Sequence, residues 1–326
     1  MTNKYNNVYI KDTYTIAGVY EKDGPLKKYF NKIYSKDFYY GTNTYEQAET
    51  KMLNDAINPL IKRGKNIDLI IAGDLQNQIA ATDYALRDKN IPLLGIFSAC
   101  ATFGEGLCIA ANFIEGKRAN NIIVATSSHN LVAEKQFRNP TEYGAPKKKT
   151  TTFTSTGAAS IHLTNEVQPI KITASTIGTV QDASIKDVNN MGAVMALAAA
   201  DTIEKHLKNL KLKPDYYDLI LTGDLGVYGK EILIEYLAKK GIDLSKNYND
   251  CGLLLYDINK QPVFAGASGP ACSALVTCSY LCKELEKGTL KRILVVPTGA
   301  IFSPTRVFQK ETIPSIAHAI SLEAFI

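Results

Sequence analysis

Six cysteines and four histidines are the groups in this 326-residue chain best suited to nucleophilic or general-base work. The cysteines stand at positions 100, 108, 251, 272, 278 and 282, with no CxxC pair and no Cys/His grouping at zinc spacing. Most lie in apolar, helix-like text, where a free cysteine packs as a small hydrophobe. Cys100 differs. In LGIFSACATFGEGL (94–107) an extended run gives way to helical text at Cys100, followed by Ala101 and Thr102. A helix start lowers a thiol's pKa and attracts anions, so this turn suits a nucleophile or an anion site. Among the histidines, His129 is best placed for a cleft, because it lies just past the end of the apolar run IIVATS (122–127). Lys135, Arg138 and Tyr143 follow in the same segment. His206 sits among lysines in helical text and is expected to be solvated, whereas His162 and His318 fall in strand-like runs.

The elements that must position these groups come in two copies. DLIIAGDL (68–75) is echoed by DLILTGDL (218–225). Residues 98–127 align without a gap to 270–299, placing Cys100 on Cys272. Each half reads strand–helix–strand–helix–strand–helix–strand–strand, with helices called by apolar spacing and strands by β-branched runs. The strand texts are continuously apolar, as expected of a mostly parallel sheet covered on both faces. A layered α/β fold with a pseudo-twofold axis is expected, with halves at 1–166 and 167–326. Residues 129–155 form an excursion over the cleft, and 251–269 is expected to be a hairpin. Asp74 and Asp224 each follow a glycine at a strand end, where ligands gather in such sheets. Capping of the next helix is the role expected of both, with a calcium bridge as the alternative.

Composition narrows the function classes. The hydrophobic content of 45% is that of a folded globular protein, and the net charge of +5 is too small and too dispersed to argue for nucleic acid. No run reaches the about 18–20 apolar residues of a membrane span, and MTNKYNNVYIKD lacks a signal-peptide core. A reduced, cytosol-facing compartment is expected from the cysteine pattern. No GxGxxG or Walker lysine motif follows a strand. No organic cofactor and no metal site are expected.

Two tandem halves with a cysteine at the strand-to-helix turn of the first resemble the thiolase and ketoacyl-synthase superfamily. The blocks SACATFGEGL, TSSHNLVAEKQFRNPTEYG, DYYDLILTGDL, DCGLLLYD, VFAGASGPACSA, LKRILVVPTGAIFSPT and QKETIPSIAHAI resemble, more narrowly, the stage V sporulation protein AD (SpoVAD) family of spore-forming bacteria. The resemblance implies a thiolase-like α-β-α-β-α fold and a homodimer paired along IIVATSS. It also implies a role in handling dipicolinic acid in the developing and germinating spore. Attachment would be peripheral, on the inner spore membrane, through other SpoVA proteins.

In the superfamily the equivalent of Cys100 accepts the acyl group, assisted by side chains from the second half. Those slots hold Gly223 and Ala267, neither of which can donate a side-chain hydrogen bond. A non-catalytic binding protein is therefore expected, with acyl transfer by Cys100, partnered by His129, as the alternative. Dipicolinate is a planar dianion. One carboxylate is expected on the amides of Cys100, Ala101 and Thr102. The other is expected on Arg138, with His129, Lys135 and Tyr143 nearby. Gly223, Ala267 and Ser268 of the second half are expected among the ligand-binding residues, and calcium dipicolinate is the alternative form of the ligand.

Overall fold

The computed structural model describes residues 1–64, 66–137 and 147–325. The two halves repeat one sheet topology. In the first, the five main strands in chain order are Tyr9–Ala17, Leu69–Gly73, Leu93–Gly95, Asn121–Ser128 and Gly157–Thr164. In the second the five main strands are Ile170–Ile177, Leu219–Thr222, Tyr248–Asp250, Arg292–Val296 and Ser315–Ala324. Both sheets run third–second–fourth–fifth–first, with only the fifth strand antiparallel to the rest. The first strands meet where Tyr9 and Ile10 pair with Lys171 and Ile170, which joins the halves into one path of hydrogen bonds.

Helices supply the other layers. Thr102–Glu115 packs on strands of both halves, and with Pro270–Val276 it forms the middle layer. Tyr45–Gly64 and Ala80–Leu86 cover the outer face of the first sheet, burying Met52, Leu53, Ile57 and Leu60 against Ile70 and Ile123. Met191–Leu210 and Gly226–Ala238 cover the second, where an alanine-rich stripe lies against Ile220, Leu294 and Val296. The expected α-β-α-β-α architecture is therefore present. It exists because each central strand is apolar on both faces and must be covered twice.

Three local expectations need correction. Residues 251–269 do not form a hairpin. The third strand of the second half lies just before, at Tyr248–Asp250, and Asp250 then caps the helix Cys251–Leu255 by accepting the Gly252 N–H at 3.0 Å. His206 is not solvated: it is fully buried between the Thr176 hydroxyl (2.8 Å) and the Tyr217 hydroxyl (2.7 Å). Burial holds its pKa down at about 4. Cys272, the aligned copy of Cys100, is buried inside the helix Pro270–Val276, as expected of a cysteine in apolar helical text, and its thiol donates to the Gly223 carbonyl at 3.4 Å. Finally, the strand Asn121–Ser128 cannot pair with another chain, because Leu69–Gly73 and Gly157–Thr164 occupy both of its edges. The open edge of the first sheet is Leu93–Gly95.

Candidate functional site

The carboxyl ends of the central strands converge on one cavity of about 830 Å³, its open mouth included. Cys100 stands at its floor. The turn that carries it is sharp: Ala99 has φ of +50°, in the left-handed region, and the helix proper starts at Thr102. The Thr102 hydroxyl locks this elbow by donating to the Ala99 carbonyl (2.6 Å) and accepting the Ser98 N–H (3.0 Å). The Ala101 and Thr102 amides are committed as well, to the carbonyls of Ser98 and Ala99. This corrects the expectation that these two amides are free to hold a ligand carboxylate.

The second half presses directly on the elbow. A Cβ on Gly299 would come within 2.4 Å of the Ser98 carbonyl oxygen, so only glycine permits the approach. Gly223, at the end of the strand Leu219–Thr222, is equally confined. A Cβ there would lie 2.8 Å from the Thr298 nitrogen, so this slot has no room for a histidine. Ala267 is fully buried, and Ser268 lines the cavity.

The two Gly-Asp copies have parted roles. Asp74 matches expectation: it accepts the Gln76 N–H (2.7 Å) and both the N–H and the hydroxyl of Thr82 (2.8 and 2.7 Å), in the first turn of Ala80–Leu86. Asp224 does not cap a helix. Asp250 takes that task by accepting the amides of Leu225 (2.9 Å) and Gly226 (3.1 Å), at the start of Gly226–Ala238. Asp224 is thereby released toward the cavity, where it accepts the Thr298 hydroxyl and the Gly269 N–H (3.3 Å). It lines the cavity together with Cys100, and its charge acts on the Cys100 thiol.

This pairing sets the chemistry of the floor. Burial first, and the Asp224 charge second, push the Cys100 thiol well above its ordinary range. The helix-start field that was expected to lower it is outweighed. Burial raises Asp224 as well, to about 7, although the Thr298 hydroxyl bonds to its charged form.

The walls are largely apolar. Phe97, Phe137 and Phe302 stand with Met191, Met195 and Val188 around the cavity, and Phe137 meets Phe302 edge-to-face at 5.4 Å. The excursion contributes Ala133, Glu134, Thr151, Thr152 and Thr154. The Thr151 hydroxyl is buried without a hydrogen-bond partner. Glu134 pairs with Lys147 at 3.0 Å.

Other anticipated residues lie elsewhere. His129 is buried beside the cleft, not in it. Its Nδ1 accepts the Leu131 N–H (3.2 Å), so its Nε2 donates to the Phe38 carbonyl (2.8 Å). Its ring stacks on Tyr45, and burial lowers its pKa. Lys135 points away and pairs with Glu46 at 2.5 Å. Arg138 and Tyr143 lie outside the described residues. Among the described residues no lysine or arginine lines the cavity, no group of three or more His, Cys, Asp or Glu could hold a metal ion, and no helix is long and apolar enough to cross a membrane. The aromatic wall, Thr151 and Thr298 were missed because the residues that build them are scattered from 97 to 302. The run TTTFTS (150–155) was the one local signal for a hydroxyl-bearing ledge.

Comparison with known proteins fits this geometry. The family model described as Stage V sporulation protein AD (SpoVAD) matches residues 2–323. A relative from Bacillus subtilis (strain 168), Stage V sporulation protein AD, is 44% identical over 320 residues, covering 97% of this chain and 94% of its own. Solved structures share the fold at low identity. One is 3-oxoacyl-[acyl-carrier-protein] synthase III from Aquifex aeolicus VF5, with TM-score 0.56, 16% identity, and 97% of this chain and 99% of that one covered. Another is a variant of OleA from Xanthomonas campestris, with TM-score 0.61, 14% identity and 99% of each chain covered. OleA was also solved with bound lauric acid and lauroyl-CoA, at TM-score 0.57, 15% identity, and 97% of this chain and 99% of that one covered.

Proposed function

The chain belongs to the stage V sporulation protein AD family, and on that footing we propose that its cavity binds dipicolinic acid, free or as the calcium chelate, and carries no condensing activity. The pairing of Cys100 with Asp224 is the observation that carries this reading. A thiol is held as the reactive thiolate by a cation beside it, whereas here burial and the Asp224 charge both favour the neutral thiol. The closed Gly223 slot supports the same reading, since a second-half histidine has no space there.

A flat pyridine ring suits the wall of Phe97, Phe137 and Phe302. Its carboxylates find hydroxyl donors in Thr151 and Ser268, with Arg138 proposed as the cation. In this reading the protein supports dipicolinate uptake into the developing spore and its release on germination. It works as a peripheral partner of other SpoVA proteins at the inner spore membrane.

One feature favours a second reading, acyl transfer by Cys100: the apolar wall would also accept an acyl chain. Incubation with acyl-CoA and malonyl thioesters, followed by intact-protein mass measurement, separates the two. No acyl mass on Cys100 and no condensed product are expected. An adduct and turnover, both lost in Cys100→Ala, would establish the second reading instead.

A further inference from the structure

The cavity floor sets an electrostatic condition on any carboxylate ligand, a condition that rests on the ligand class just proposed. Asp224 is buried except toward the cavity, and its hydrogen-bond partners are uncharged donors, the Thr298 hydroxyl and the Gly269 N–H, with the Cys100 thiol beside it on the cavity lining. The titratable groups packed behind it are Asp250, Cys251 and Cys272. None of them brings positive charge. Glu134, also on the cavity wall, is paired with Lys147. An ionised ligand carboxylate brought to an ionised Asp224 would place two like charges together out of water, and such a pair holds one proton between its members. Thr151 is a separate observation on the same cavity. It is only 7% exposed, and its hydroxyl has no partner, which leaves a donor for a carboxylate oxygen.

We propose that the site takes up one proton from solvent with its carboxylate ligand, shared between the ligand carboxylate and Asp224, while the Thr151 hydroxyl donates to the same ligand. The only bond formed is the O–H on this carboxyl pair, and the only species consumed is the solvent proton. This fixes the sign of the pH dependence. Burial pushes the free Asp224 carboxyl up to about 7. Below that pH the proton is already in place, and affinity is level. Above it the proton must be recruited, and affinity falls by up to about tenfold per pH unit.

The test is calorimetric titration of the full chain with dipicolinate between about pH 6 and pH 8.5, in buffers of differing ionisation enthalpy. Uptake approaching one proton per ligand is expected at the upper end, with affinity falling about tenfold per unit there. Asp224→Asn should lose both the uptake and the pH dependence. Thr151→Val should weaken binding severalfold at every pH and leave the uptake intact. Circular dichroism melts confirm that each variant is folded. Binding without proton uptake, unaltered in its pH profile by Asp224→Asn, overturns the proposal alone, and loss of that binding in Arg138→Ala would assign the charge balance to Arg138. Absence of dipicolinate binding at every pH overturns the ligand reading and this proposal with it.

Discussion

Cys100 and Asp224 are two common residue types whose meaning comes from facing each other across the two halves. A thiol reacts as its thiolate, and a neighbouring carboxylate in a buried site suppresses that form. Near pH 8, Cys100 should therefore be alkylated by iodoacetamide at least about tenfold more slowly than an unperturbed thiol, and Asp224→Asn should raise the rate. A rate equal to that of a free thiol, or no response to Asp224→Asn, would show that the pairing does not govern the cysteine. The cysteine and its elbow were legible in the sequence, because strand text breaks into helix text at one residue. Its partner was not. Asp74 and Asp224 occur in near-identical strings, and nothing local says that one bonds helix amides while the other faces a thiol. His129 was misplaced for a similar reason: the groups that claim its ring, Phe38 and Tyr45, lie far upstream in the chain.

At the scale of elements, the release of Asp224 depends on a three-residue strand, Tyr248–Asp250. Asp250 ends it and accepts four hydrogen bonds: from the Thr222 hydroxyl (2.7 Å) and from the amides of Leu225 (2.9 Å), Gly226 (3.1 Å) and Gly252 (3.0 Å). It thus ties the starts of two helices to the second strand. Asp250→Ala would strand three buried amides, and should destabilise the fold by about 3 kcal/mol or more in urea denaturation. A loss under about 1 kcal/mol would mean that water or a local shift replaces the carboxylate. The long strands could be read directly, since runs such as LIIAG and ILVV are apolar on both faces. Tyr248–Asp250 could not. Its text is short and polar, it sits at a sheet edge, and its last residue is chosen for capping.

At the scale of the molecule, duplication builds a cleft that neither half could form alone: the first half supplies the cysteine elbow and the second supplies the carboxylate. The open edge of the first sheet offers a further surface. The strand Leu93–Gly95 is paired on one side only, and Leu94 (39% exposed) and the nearby Phe97 (49%) present apolar surface there. We propose that a homodimer forms by antiparallel pairing of this edge with its copy across a twofold axis. Light scattering should give twice the chain mass of 35.7 kDa, and Leu94→Lys should return it to the monomer. A monomeric wild-type chain, or a dimer indifferent to Leu94→Lys, would place the contact elsewhere or remove it. The roles of Cys100, Asp224 and Thr151 all depend on the cavity being a ligand site, and one measurement reaches that most directly: calorimetric titration of the wild-type chain and of Ala133→Trp with dipicolinate, free and calcium-loaded. The predicted result is saturable binding at one site per chain, abolished when the tryptophan fills the cavity from the helix Asn130–Phe137. No saturable binding to the wild type, or binding that survives Ala133→Trp unchanged, would contradict it.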